Sequence, residues 1–426
     1  MTADTIYALS SGSPPAGIAV VRISGPNADL ALLRLAGKLP PARMATLAEL
    51  REEGGEALDQ ALVLRFPGPA SATGEDVAEL HLHGGRAVVA AVLGALGRVE
   101  GLRQAAPGEF TRRAFENGRL DLAEAEGLAD LLAAETESQR RSALALAEGA
   151  LSRRVEAWQA RVLALSASLE AAIDFSDEGE VGEGVPAALH QDAEAMSREI
   201  AEALGRPPVE RLRDGVRIVV AGPPNAGKSS LINALCGRDI AITSPVEGTT
   251  RDVLEAPVAI AGNPVLLVDT AGLRESADSV ERTGVERARR QLEAADLVLW
   301  LGMAGDCPAP ERSILVHSKC DIRRSGTAEA LNVSAETGEG LDRLLAVIAE
   351  HAATLLPTEG DVPLNARHRS ALRETLDGLV EAVSASDPLI AAEGLREARS
   401  ALDRVTGRAG VENMLDALFG AFCIGK

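Results

Sequence analysis

The stretch GPPNAGKS, Gly222–Ser229, has the spacing GxxxxGK[ST] that wraps a chain of phosphates. Such a loop turns backbone N–H groups toward the anion, and the helix behind it adds its positive end. Lys228 would reach the outer phosphate oxygens, and Ser229 would offer a hydroxyl to Mg2+. The apolar run Val216–Ala221 reads as the strand in front, and Leu231, Ile232 and Leu235 mark the buried face of the helix behind. Further along, GTTRD (248–252) carries Thr249 and Thr250, of which Thr250 can close over the metal. LLVDTAG (266–272) ends a strand with Asp269 near the metal and Gly272 at the terminal phosphate. NVSAETGEG (332–340) reads as a loop beneath a purine base, with Ser334 and Ala335 against the ring.

The base-reading loop is irregular. Residues 318–321 are SKCD, where Asn-Lys-x-Asp is expected of a guanine site. Asp321 still supplies the carboxylate that accepts from N1–H and the exocyclic amine of guanine, and the Lys319 stem can cover the ring. Loss of the asparagine removes a hydrogen bond of about 1 kcal/mol, roughly fivefold in affinity, which the Ser318 hydroxyl can partly recover. The other reading of Ser318 is a decayed site. After DTAG stands Leu273, which cannot orient water, so an acid downstream, Glu275, Asp278 or Glu281, is a candidate for that work. An exposed charged loop is the plainer reading of the same residues.

These groups must be positioned by more than one domain, since 426 residues allow two or three cores. Residues 1–117 alternate short apolar runs with Gly and Pro and read as mixed α/β; residues 118–212 take up a helical period rich in Ala, Leu, Glu and Arg. The α/β pattern carrying the phosphate loop fills 213–356, and 357–426 returns to helix. An α/β domain inserted into a helical bundle accounts for that order. Between the strands DLVLWLG and SILVHS only residues 303–312 remain, too few for the usual helical crossover, so one peripheral helix should be missing.

With 43 basic and 63 acidic residues the net charge is −20, so no broad cationic face for nucleic acid is implied, and such a partner would need a local patch or a second protein. The doublets Arg112–Arg113, Arg140–Arg141 and Arg153–Arg154 read first as solvated helix faces. Cys236, Cys307, Cys320 and Cys423 make no CxxC pair, which argues against structural zinc and fits a reducing compartment. No leader-like or membrane-spanning apolar run is present, so a cytoplasmic location is expected.

Together these motifs resemble the MnmE (TrmE) family of tRNA-modification GTPases, along nearly the whole chain: VVRISG, TGEDVAELHLHGG, PGEFTRRAFENGRLDLAEAEGLADLL, GPPNAGKSSLINAL, GTTRD, DTAGLRE and the final FCIGK. The resemblance implies an N-terminal folate-binding domain related to glycine-cleavage T-proteins, a discontinuous helical domain and an inserted Ras-like P-loop GTPase domain. It implies a homodimer acting with the FAD-dependent MnmG on C5 of the wobble uridine of certain tRNAs. The one-carbon unit would come from methylenetetrahydrofolate and the amine from glycine or ammonium. By motif, the nucleotide residues would be Asn225, Ala226, Gly227, Lys228, Ser229 and Ser230, with Ser244, Thr249 and Thr250, then Asp269, Thr270, Ala271 and Gly272, and Lys319, Asp321, Ser334 and Ala335. Mg2+ would be held by Ser229 and Thr250, and K+ by Asn225, Ser244, Val246 and Thr249, placing positive charge where other GTPases insert an arginine.

Glu281 matches the family's catalytic acid, alongside Lys228 and Thr250. Arg22, Glu79, Arg119 and Lys426 match positions that hold a tetrahydrofolate derivative, in its 5-formyl or methylene form; Arg119 stands where Lys is common. Cys423 matches the FCIGK thiol, or packs as a small apolar residue beside Phe419, Phe422 and Ile424. His81 and His83, two apart on a strand, could suggest a metal but read first as structural or pocket-lining. A regulatory or ribosome-assembly GTPase, and a folate-binding scaffold with weakened turnover, are the competing expectations.

Overall fold

A computed structural model describes residues 4–174, 187–238, 255–270, 289–323, 330–358, 360–408, 412–420 and 422–425. The chain forms two compact units, Met1–Ala129 with Asp403–Lys426, and Asp130–Leu402.

In the first unit β1 (Thr5–Leu9), β2 (Ile18–Ser24), β3 (Thr46–Arg51), β4 (Ala57–Phe66), β5 (Val77–His83) and β6 (Leu102–Gln104) build a six-stranded sheet, ordered β3-β4-β5-β2-β1-β6. Only the β1–β6 pair is parallel among its described ladders. Successive strand residues point to opposite faces, so the polar and apolar sets separate. In β2, Ala19, Val21 and Ile23 are buried while Val20 and Arg22 turn away; in β5, Leu80 and Leu82 are buried while Glu79 and His81 turn away. Helices Ala28–Ala36 and Arg86–Leu96 close the apolar face with Leu32, Leu35, Val92 and Leu96, each Leu stabilising by roughly 1.5–3 kcal/mol on burial. The opposite face keeps Arg22, Glu79 and His81 in a row.

The C-terminal stretch belongs to this unit. Phe419 and Phe422 pack with Phe115 and Leu122, and Ile424 bridges antiparallel to Pro107. Gly108 (φ 67°) comes so close that a Cβ there would lie 2.2 Å from the Phe419 carbonyl oxygen. Gly425 (φ 102°) sits on the end of β1: a Cβ would lie 2.0 Å from the Leu9 oxygen, and Ser10 Oγ donates to the Gly425 carbonyl at 2.7 Å.

In the second unit the Ala/Leu/Glu pattern forms the helices Glu137–Ala147, Ala150–Asp174, Ala187–Gly205 and Ala366–Ser384. Two of them start with reciprocal caps, Thr136 with Gln139 and Asn365 with His368. Strands β7 (Val216–Ala221), β8 (Glu255–Ile260), β9 (Asn263–Asp269), β10 (Leu297–Trp300), β11 (Ser313–Ser318) and β12 (Leu331–Val333) form a second six-stranded sheet, ordered β12-β11-β10-β7-β9-β8. It is parallel apart from the β8–β9 hairpin.

The chain enters and leaves this α/β part at one place: the Val209 N–H donates to the Leu364 oxygen at 3.2 Å, and Arg369 donates to the carbonyls of Leu204 and Arg206. Between β10 and β11 only the 3-10 turns Ala304–Asp306 and Pro310–Arg312 occur, so the expected crossover helix is indeed absent there. Arg312 reaches across to the Leu292 and Ala295 carbonyls, both at 3.0 Å, and satisfies backbone acceptors at the end of the helical residues 289–293. No helix among the described residues is long and apolar enough to cross a membrane.

Candidate functional site

β7 delivers the phosphate loop. Gly222 (φ 149°) passes so near β10 that a Cβ would meet the Leu301 backbone at 3.1 Å, and the loop then turns through Asn225 (φ 61°) and Gly227 (φ 90°). Asparagine tolerates this left-handed geometry and glycine is free in it, so the motif's residues are those the turn needs. Lys228 opens the helix Lys228–Cys236, is buried, and donates its amine to the Gly222 and Pro223 carbonyls at 3.1 and 3.0 Å. Behind it Ser229 Oγ donates to Asp269 Oδ2 at 2.6 Å, because β9 lies beside β7 with Asp269 opposite Val220. A hydroxyl and a carboxylate oxygen facing one another are the hard donors that suit Mg2+. Ser230 is exposed in the first turn of the same helix. Thr270 is buried and gives its hydroxyl proton to the Val220 oxygen at 2.9 Å, so its side chain serves the sheet.

The SKCD loop sits on the phosphate loop. Ser318 Oγ donates to the Ala226 oxygen at 2.5 Å, and Lys319 (φ 61°) donates Nζ to the Asn225 oxygen at 3.0 Å. The Cys320 N–H donates to the Val333 oxygen at 3.2 Å, tying this loop to the one after β12. There Ser334 is fully buried and accepts from the Thr337 N–H at 3.2 Å, shaping the turn, while Ala335 is half-buried and Asp321 is exposed. Burial, reinforced by the Glu339 and Asp321 carboxylates, pushes the Cys320 thiol up, so it stays protonated at neutral pH. Ser244, Val246, Thr249, Thr250, Ala271, Gly272, Leu273, Glu275, Asp278, Glu281 and Lys426 lie outside the described residues.

In the first unit Arg22 and Glu79 are directly opposite across β2 and β5, and Arg22 Nε and Nη2 both donate to Glu79 Oε1, at 3.0 and 2.9 Å. Arg22 also lies over the Phe110 ring at 5.9 Å, and His81 Nε2 is 3.3 Å from Glu79 Oε2. His83 pairs with Asp59 at 2.7 Å. Among the described residues no group of three or more His, Cys, Asp or Glu side chains is placed to hold a metal, and His81 and His83 each pair with a single carboxylate. Arg119 is exposed, its stem near Gly74 (φ 81°), where a Cβ would meet Arg119 Cγ at 3.2 Å. Among the described residues no hydrogen bond or ion pair joins it to the Arg22–Glu79 pair. Cys423 is exposed, while its neighbours Phe419 and Phe422 are buried.

One cluster escaped the sequence. The Arg112–Arg113 doublet reads as a solvated pair, yet Arg113 is buried and donates to Asp4 Oδ1, Glu75 Oε2 and Glu109 Oε1 at 2.9, 3.1 and 3.2 Å. Glu75 also accepts from Ser24 Oγ, two residues beyond Arg22, and Ser24 meets Thr73 at 2.7 Å. Burial pushes Glu109 up, but Arg103, the Ala106 N–H and Arg113 together hold it below the usual carboxylate range. The remaining doublets fit the sequence reading in part: Arg140 and Arg141 both hold Glu137 on the surface, and Arg154 lies over Trp158.

A parallel sheet with a glycine loop running into a helix, a serine–aspartate oxygen pair behind the loop, and a Lys-x-Asp turn seated on it define a P-loop protein of the GTPase kind. The family model described as the MnmE helical domain matches residues 122–423, and that of the GTP-binding protein TrmE N-terminus matches 5–119. The "tRNA modification GTPase MnmE" of Erythrobacter litoralis is 58% identical over 99% of this chain and 100% of its own length. The protein of that name from Rhizorhabdus wittichii is 58% identical over 99% of this chain and 97% of its own. The chain belongs to the MnmE family. Among solved structures, the G domain of the T. maritima FeoB iron transporter is 26% identical, covering 32% of this chain and 98% of that one with a TM-score of 0.24.

Proposed function

We propose that the chain hydrolyses GTP in the service of tRNA wobble-uridine modification. The observation that carries this is the Ser229–Asp269 oxygen pair at 2.6 Å, directly behind a phosphate loop held from above by Ser318 and Lys319. When bound, Mg2+ supplies positive charge to the β and γ oxygens. Around it Lys228 would leave the Gly222 and Pro223 carbonyls for the γ-phosphate, Ser229 and Thr250 would hold the metal, and Asp269 would orient Ser229. Asp321 would read guanine, and Glu281 would position the attacking water. Asn225 is exposed at its left-handed turn and would be a K+ ligand; Ser244, Val246 and Thr249 would complete that set.

The reading extends to the other domain. Residues 1–117 would bind a tetrahydrofolate derivative and form the homodimer, 118–212 and 357–426 would make the helical domain, and 213–356 the inserted G domain. Arg22 and Glu79 are preorganised on a half-buried sheet face, as recognition of a pterin edge and a carboxylate would require, with Arg119 and Lys426 joining them. MnmG would be the FAD-dependent partner, tRNA the substrate, and the cytoplasm the location.

Steady-state hydrolysis in K+ against Na+ at equal ionic strength, with ATP as base control, tests the proposal. GTP-selective, K+-stimulated turnover that collapses in Glu281→Ala is expected. Absence of turnover in both salts at saturating GTP would leave only a folate-binding scaffold.

A further inference from the structure

The hydroxyl of Ser318 has one proton, and the structure commits it. The Ala226 carbonyl can only accept, so the bond between them at 2.5 Å requires Ser318 Oγ to donate. What Ser318 retains toward the base is a pair of lone pairs. Guanine presents acceptors, N7 and O6, along the edge that adjoins the N1–H and amine that Asp321 reads. An acceptor facing an acceptor makes no bond. An asparagine here would differ in kind, because its amide carries two protons and could serve both a loop carbonyl and N7.

The surroundings fix this choice of partner. Lys319 adds a second tether one residue away, to the Asn225 oxygen at 3.0 Å, and Gly227 packs beside both, where a Cβ would be in ordinary contact at 3.4 Å from Lys319 Cε and 3.8 Å from Ser318 Oγ. Turning the hydroxyl to the base would leave the half-buried Ala226 carbonyl without this donor. We infer that Ser318 is a positioning residue that fastens the base loop to the phosphate loop, and that guanine N7 is therefore not read by this protein. The inference rests on the guanine-nucleotide reading of the site and adds which edge of the base is recognised.

The test is calorimetric binding of GDP, 7-deaza-GDP and ADP to the full-length protein in Mg2+. Wild type should bind GDP and 7-deaza-GDP within twofold of one another, both well above ADP. Ser318→Asn should gain a preference for GDP over 7-deaza-GDP of about fivefold, the worth of one hydrogen bond. Ser318→Ala should weaken both guanine ligands by one common factor, and Ser318→Thr should restore both; a merely structural loss would not be rescued by returning the hydroxyl. A wild-type preference for GDP over 7-deaza-GDP of fivefold or more, with GDP binding intact, overturns the inference and spares the guanine site. Equal binding of ADP and GDP overturns the guanine reading and the inference with it.

Discussion

Gly425→Ala should release the last residues of the chain while leaving the body of the first unit folded. The new Cβ would stand 2.0 Å from the Leu9 oxygen, and ordinary contact begins at 3.4 Å, so the backbone must retreat by about 1.4 Å, the difference of the two. The opposing atoms are main chain of β1 and Ser10, which the sheet holds in place. The same retreat would stretch the Ser10–Gly425 hydrogen bond from 2.7 Å to about 4.1 Å and break it, at roughly 0.5–1.5 kcal/mol. A φ of 102° adds roughly 1–2 kcal/mol for a residue with a Cβ. About 2 kcal/mol in total shifts the local opening equilibrium some thirtyfold. Hydrogen exchange read by mass spectrometry should show protection lost in the C-terminal peptide, with the thermal midpoint nearly unchanged because Phe419 and Phe422 stay packed. Unaltered exchange in that peptide would refute the reasoning. Loss of folate affinity in the same variant is expected if Lys426 contributes to that site.

Asp321→Asn should exchange the guanine preference for xanthine, since the amide donates where the carboxylate accepts; competition between GDP and XDP measures it, by about tenfold or more in each direction. Ser229→Ala should abolish the Mg2+ dependence of nucleotide binding and lower the stability of the second unit by about 1 kcal/mol through the lost bond to Asp269, checked by calorimetry and denaturant titration. Glu109 has a folded pKa below its unfolded one, so its contribution is complete above the unfolded value of 4.5 and drains away as pH falls through the folded value. Glu109→Gln should therefore melt lower than wild type at pH 7, with the gap narrowing as the pH is taken below 4.5.

What the sequence disclosed follows from how local each feature is. The phosphate loop needs particular backbone angles at Asn225 and Gly227, which only certain residues allow, so its string of letters carries its shape. The missing crossover was legible because chain length bounds what can span two parallel strands. Arg113 was not legible: its partners Asp4, Glu75 and Glu109 come from three places that only the folded sheet brings together. Nor was the partner of Ser318, an oxygen 92 residues earlier, so the letters showed a departure from Asn-Lys-x-Asp without showing what the serine does instead. The polar row Arg22–Glu79–His81 lay between, its alternation visible but its pairing dependent on the β2–β5 register.

The adjacent entry and exit of the α/β part bear on how such a chain can be taken apart and rebuilt. Because the Val209 N–H and the Leu364 oxygen are hydrogen-bonded, one or two glycines could close the helical remainder across the gap. The excised piece would itself have neighbouring ends, suited to relocation into another host or to circular permutation at an exposed turn. The fold thus behaves as a plug and socket, the phosphate-loop part joined to its helical neighbour through two chain ends that touch.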